Sequence, residues 1–196
     1  DGLLYNTTWI KQTLDVPSIH FDSAWVPYTQ FHPIYTGKSG MSGERVPGKV
    51  FFETQSTHKM LAALSQASLI HIKGDYDEET FNEAYMMHTT TSPSYPLVAS
   101  IETAAAMLRG NPGKRLINRS VERALHFRKE IKRLNAECEG WFFDIWQPDE
   151  IDEADCWPIE PGERWHGFSH ADHDHMYLDP VKVTILTPGM DQQGEM

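Results

Sequence analysis

Short apolar runs that end in a polar residue recur in the first third of the chain. Ile19-His20-Phe21, preceded by Pro17, and Lys49-Val50-Phe51-Phe52 have the length and the bounds of buried strands. Each delivers polar residues just past its end, Asp22 after the first and Thr54 to Lys59 after the second. A third run, Leu69 to Ile72, predicts a strand stopped by Gly74. Between the first two, Thr36 to Gly48 holds Gly37, Gly40, Gly43, Pro47 and Gly48, too many breakers for a regular element, which predicts a mobile loop beside the strand ends.

The period then changes. Asp77 to Met87 predicts a helix with Asp77 as N-cap and acidic residues in its first turn. Ser100 to Arg109, rich in alanine, predicts a second helix closed by Gly110 and Pro112. From about Asn118 to Cys138, the apolar residues Ile117, Val121, Leu125, Ile131, Leu134 and Cys138 form one stripe of a long amphipathic helix, ended by Gly140. Beyond it, Trp141, Trp146, Trp157 and Trp165 sit among acidic and proline-rich turns, with Val181 to Leu186 as a strand. Packing in a core is the first reading of those tryptophans, ahead of a stacking surface. Strands alternating with helices, followed by sparser elements, indicate an α/β protein, with the change of texture after Gly140 marking the start of a different subdomain.

Charge narrows the partners. The 17 Lys and Arg against 28 Asp and Glu leave a net charge of -11, a surface that repels phosphate backbones and argues against nucleic-acid binding. Apolar content of 40% suffices for a core, yet no apolar run approaches the ~20 residues that span a bilayer. The start DGLLYNTTWIKQ lacks the pattern of a signal peptide, so no membrane association and a cytoplasmic location are expected. Cys138 and Cys156 lack CxxC spacing, which argues against a disulfide framework or a thiolate zinc site.

The candidate chemistry lies in ETQSTHK. A lysine acts as a carbonyl-binding amine only when it can be neutral, which needs desolvation or nearby positive charge. The apolar residues after Lys59 predict burial, and Ser56, Thr57 and His58 supply hydroxyl and imidazole groups able to hold a phosphate. In HFDSAW, Asp22 at a strand end followed by the small Ala24 suits a pyridine ring, an acid for its nitrogen and a flat contact for its face. On spacing alone, both stay open: a strand-to-helix lysine is commonly solvated, and a turn or N-cap aspartate is the first reading of Asp22. In sheets of this class ligands sit beyond the carboxyl ends of the strands, where Asp22 and Lys59 are expected to converge. The GKS at residues 37 to 39 is no phosphate loop, because His32 stands where the earlier glycine is required.

ETQSTHK with SQASLIHIKG, HFDSAW, EAYMMHTTTSP, ASIETAAAMLRG and HMYLDP, in this order, closely resemble the bacterial lysine decarboxylases, relatives of the bacterial ornithine and arginine decarboxylases, with the constitutive branch ahead of the acid-inducible one. The resemblance implies a fold type I (aspartate-aminotransferase-like) pyridoxal 5'-phosphate domain over residues 1–109 and the start of an α+β C-terminal domain over residues 110–196. It implies decarboxylation of L-lysine to cadaverine and carbon dioxide, with a proton consumed, in acid tolerance and polyamine supply. By the same resemblance Lys59 carries the cofactor covalently and Asp22 pairs with its ring nitrogen. Ala24 packs on the ring face, Trp25 lies close to cofactor and substrate, and Ser56 and His58 contact the phosphate. Thr90, in HTTTSP, reaches the phosphate of the neighbouring subunit's site, which implies a homodimer with shared active sites and, among such relatives, a ring assembly, a decamer. Family members are several times longer, and their upstream phosphate-binding hydroxyls, ring-stacking histidine and downstream acidic substrate residues have no counterpart here. The expectation is a portion of a larger chain, inactive alone.

Two rival readings remain: an ornithine or arginine decarboxylase sibling, and a non-catalytic acidic binding or assembly module. The second draws on WHGFSHADHDHMYLD, where His166, His170, His173 and His175 lie among Asp172 and Asp174. A solvated loop is the better reading of that stretch, with no metal expected and His166 and His175 structural, because imidazoles without fixed partners rarely make a specific site.

Overall fold

The computed structural model describes residues 2–138 and 142–187. In chain order the elements are β1 (Leu3–Tyr5), α1 (Thr7–Thr13), β2 (Ser18–Asp22), β3 (Val50–Gln55), α2 (Thr57–Met60), β4 (Leu69–Lys73), α3 (Glu78–His88), α4 (Tyr95–Leu108), α5 (Gly110–Glu137), β5 (Asp144–Ile145), β6 (Trp157–Pro158), β7 (Met176–Leu178) and β8 (Ile185–Leu186). Short 3-10 turns at Pro27–Gln30 and Pro33–Tyr35 follow β2. Helices and strands are mixed as the α/β expectation requires. The chain divides into two compact units, one of residues 7–32 and 36–114, the other of residues 1–6, 33–35 and 115–196.

The first unit is built on a sheet of order β2-β3-β4, with β2 and β3 parallel and β4 antiparallel. Along β3 side chains alternate, so Phe51, Glu53 and Gln55 are buried while Phe52 and Thr54 face the other side. Glu53 is fully buried, and its carboxylate organises the glycine-rich loop: the Ser39 hydroxyl and the Gly40 and Met41 amides donate to it at 3.0–3.2 Å. Three more side chains take the loop's carbonyls. Lys11 donates to Ser42 O at 2.7 Å, Lys73 to Gly43 O at 2.8 Å and to Met41 O, and the Thr7 hydroxyl is shared between Gly37 O and Ser39 O. Residues 36–48 are irregular as expected, but the expected mobility is not what this network describes; the loop is tied down from α1, β3 and β4.

Lys11 is inside that network, 5.1 Å from the Phe51 ring centroid, and burial lowers its pKa to about 8, helped by the Lys73 charge and opposed by Glu53. Between about 8 and 10.5 the unfolded chain then holds more protons at this site than the folded one. The folded state therefore bears a penalty below pH 8 that disappears as pH rises towards 10.5. Lys11→Met in the full-length protein is expected to flatten the rise of the urea midpoint across that window; an unchanged slope would remove Lys11 as its source.

α3 has Asp77 as N-cap, accepting from the Glu79 and Thr80 amides, as its sequence predicts. α4 starts at Tyr95, earlier than the alanine-rich run suggests, because Ser94 and Pro96 open it. Gly110 breaks the helix with a φ of +66°, but Pro112 does not follow a terminus: it lies in the first turn of α5, where a missing N–H costs nothing. Gly113 is required at this corner, since a Cβ there would sit 1.9 Å from Leu108 O.

In the second unit α5 buries Ile117, Val121, Leu125 and Ile131, whereas Cys138 is exposed. The stripe also holds Arg128, which is fully buried. Its five N–H groups meet Pro180 O, Trp146 O, Gln147 Oε1, Asp179 O and Lys182 O at 2.7–3.4 Å, and its guanidinium lies 5.0 Å from the Trp157 ring centroid. Burial lowers the Arg128 pKa to about 10 against the pull of Asp179 and Tyr35, which leaves it charged at neutral pH. A sheet of order β1-β7-β6 and the β5-β8 pair complete this unit, the strand expected over Val181 to Leu186 being confined to Ile185–Leu186. Trp157 and Trp165 are buried, in line with core packing; Gly140 and Trp141 lie outside the described residues.

Candidate active site

Parallel pairing aligns Asp22 with Thr54, so β2 and β3 end side by side and their following turns are neighbours. The Ser23 amide donates to Thr54 O at 2.9 Å, locking the two ends together. One Asp22 oxygen accepts from the Ala24 amide at 3.1 Å. This is the turn aspartate that the sequence left open, and the same bond fixes the direction of the carboxylate at the strand end.

The turn after Asp22 brings Trp25 to Lys59, whose amine lies 4.8 Å from the indole centroid. Lys59 sits in α2, held by its own amide donating to Ser56 O at 3.1 Å. Both side chains are exposed, so the burial expected from the apolar residues after Lys59 is not found: Leu61 and Ala63 are only partly covered, and Leu64 is exposed. An aromatic face, rather than a closed pocket, is what this chain offers the amine.

Ser56 is the N-cap residue of α2, and its hydroxyl makes no capping bond. His58 Nδ1 donates to Ala67 O at 2.8 Å, fixing the ring so that Nε2 is the nitrogen turned to other partners. Asp22, Ala24, Trp25, Ser56, His58 and Lys59 thus share one strand-end neighbourhood. Thr90 belongs to a different element, the exposed turn after α3, where its hydroxyl accepts from the Ser92 amide at 3.1 Å.

Thr57, whose hydroxyl the sequence grouped with Ser56 and His58 as able to hold a phosphate, does not lie open beside them. It is buried, and its hydroxyl has no partner among the described residues. It lines a cavity of about 500 Å³ together with Gln55, Leu61, Leu69, His71 and Leu108. Because Gln55 and Thr54 alternate along β3, this cavity is on the side away from Asp22, and Lys59 does not line it.

In the histidine-rich stretch, His166 is buried between Glu160 O and the Phe168 amide, His173 pairs with Glu160, and His175 lies 3.5 Å from Asp172. No three His, Cys, Asp or Glu side chains are grouped to hold a metal among the described residues.

Residues 1–196 match the model of the Orn/Lys/Arg decarboxylase major domain. The chain is 85% identical over its whole length to the constitutive lysine decarboxylase of Escherichia coli K12 and 71% identical to the lysine decarboxylase of Hafnia alvei, covering 28% and 26% of those proteins. Against the solved structure of the E. coli constitutive lysine decarboxylase the TM-score is 0.93, with 100% of this chain and 28% of that chain covered. The chain therefore spans little more than a quarter of the length of these relatives.

Proposed function

The chain belongs to the Orn/Lys/Arg decarboxylase family, and on that premise we propose that it is the central part of a pyridoxal-phosphate-dependent enzyme converting L-lysine to cadaverine and carbon dioxide. The observation that carries this reading is the placement of the Lys59 amine over Trp25, at the turn that follows Asp22. The donor set fits a phosphorylated pyridine aldehyde: an amine for the aldehyde, a carboxylate for the ring nitrogen, an indole for a flat neighbour, and a hydroxyl and an imidazole for the phosphate.

The chemistry that pyridoxal phosphate would supply here is an electron sink for the pair released as the substrate carboxylate leaves. The residues of this chain prepare that event. Lys59 would hold the cofactor, its amine being the group in the set that bonds an aldehyde. Asp22, its direction set by the Ala24 amide, keeps a proton on the ring nitrogen. Trp25 covers one side of the amine, Ala24 would offer a small contact to the ring, and Ser56 Oγ with His58 Nε2 would take the phosphate. The carboxylate is replaced by hydrogen, so each turnover takes up one proton, which suits a role in acid tolerance and polyamine supply.

Parallel β2 and β3 with antiparallel β4 support a fold type I domain over residues 1–109, followed by the start of a C-terminal α+β domain. Thr90 completes the site of a second copy, giving a homodimer with shared active sites that assembles further into a decameric ring in the cytoplasm. The acidic surface favours a cationic substrate such as lysine. No described helix is long and apolar enough to cross a membrane.

Borohydride reduction of the full-length protein with pyridoxal phosphate, followed by peptide mapping and amine analysis with lysine, tests the proposal. The label is expected on Lys59, with cadaverine as product. Putrescine or agmatine from the corresponding amino acids, in preference to cadaverine, would make it a sibling enzyme; no label at all would overturn the cofactor assignment.

A further inference from the structure

An aromatic ladder leads from the strand of Asp22 to α3, the helix that runs into the turn holding Thr90. His20, two residues before Asp22 on the same face of β2, accepts or donates at Thr54 Oγ1 over 2.7 Å and meets the Phe52 ring edge-on at 6.5 Å. Phe52 stacks on Phe81 of α3, with centroids 6.0 Å apart and planes 14° from parallel. Phe81 in turn stacks on Tyr85 at 6.2 Å and is met edge-on by Tyr76 at 5.6 Å.

The ladder matters because α3 has little else to rest on. The helix contains no buried residue, and Tyr85, Met86 and Met87 are exposed along it. Stacked rings separated by 6 Å fix both the distance and the tilt of the elements that carry them. Phe81 is therefore the point where α3, and the Thr89–Thr90 turn that ends it, takes its position from the sheet.

We propose that Phe81 is a positioning residue that acts in trans: stacked on Phe52, it sets where Thr90 meets the cofactor phosphate of the neighbouring subunit. This rests on the shared-site reading above and adds to it the residue that aims the shared group. Phe81 acts through its stack on Phe52 and Tyr85 and not through a group of its own that could bind phosphate. Its loss is expected to weaken phosphate capture in the partner's site while leaving the site of its own subunit intact.

Mixed dimers of the full-length enzyme separate the two effects, with covalently held pyridoxal phosphate titrated by absorbance as a readout independent of turnover. In a dimer of a Lys59→Ala subunit and a Phe81→Ala subunit, the one lysine-bearing site lies in the Phe81→Ala subunit and receives Thr90 from a subunit with Phe81 intact. It should bind the cofactor like wild type. In a dimer of wild type with a Lys59→Ala/Phe81→Ala subunit, the lysine-bearing site receives Thr90 from the double variant and should bind roughly ten-fold more weakly. Phe81→Tyr, which preserves the stack, should restore affinity in that second arrangement. Equal affinities, or the reverse order, would overturn the inference, because Phe81 would then act within its own subunit or not at all. Thr90→Val placed in the same second dimer distinguishes the levels: no effect there sinks the shared site itself, whereas a loss with Thr90→Val and none with Phe81→Ala sinks only the role of Phe81.

Discussion

Lys59→Ala in the full-length enzyme is expected to abolish borohydride-trappable cofactor and to lower kcat by about 10⁴-fold or more, the scale on which removing an essential nucleophile acts. The hydroxyl of Ser56, the imidazole of His58 and the carboxylate of Asp22 all remain, so the variant should still bind pyridoxal phosphate, reversibly and without the absorbance band of the covalent form. Lys59→Arg should be as inactive as alanine, because a guanidinium never becomes the neutral amine that the attachment needs. Its charge and its contact with Trp25 survive, which makes it the better control: cation–π contact alone does not carry the chemistry. Retention of activity within ten-fold of wild type, or a label that persists in Lys59→Ala, would show that another amine holds the cofactor.

Arg128→Ala is expected to be among the most destabilising single changes, costing roughly 3–5 kcal/mol, the range found when one member of a buried charged network is removed. All five donors of the guanidinium are used, and four of their acceptors are backbone carbonyls of residues 146, 179, 180 and 182. Alanine leaves those oxygens without donors and opens a void beside Trp157. Arg128→Lys should recover only part of the loss, since an ammonium has three donors, no fork and no flat face for the indole. Hydrogen exchange of the full-length variants reads this locally: amides of residues 144–147 and 179–182 should lose protection first. Unchanged protection there in Arg128→Ala would mean that the carbonyls find other donors and that the network is dispensable.

The sequence revealed strands and helices where local signals agree. β2, β3 and β4 are apolar runs bounded by breakers, and Asp77 is an N-cap by type and by the acidic turn that follows. The ends of β2 and β3 meet as their polar tails suggested. What escaped was decided by distant partners. Arg128 falls in register with Ile117, Val121, Leu125 and Ile131, and a cation on an apolar stripe signals a buried charge, but its acceptors lie up to 54 residues away. The glycine-rich loop reads as loose because the residues that hold it, Thr7, Lys11, Glu53 and Lys73, come from elements on both sides of it. The exposure of Lys59 is of the same kind: apolar residues following in sequence cover a side chain only if the chain folds back over it, and here it does not.

The β2-β3-β4 sheet has a consequence for anyone who would work with this segment by itself. Among the described residues β3 is the one strand that β2 and β4 pair with, so each outer strand has an edge without a strand partner. Ile70 on β4 is exposed beside one of these edges. Such borders are templates for strand addition between identical chains. Expressed in isolation, residues 1–196 should therefore drift toward self-association and precipitation at concentrations where the full-length enzyme stays in solution.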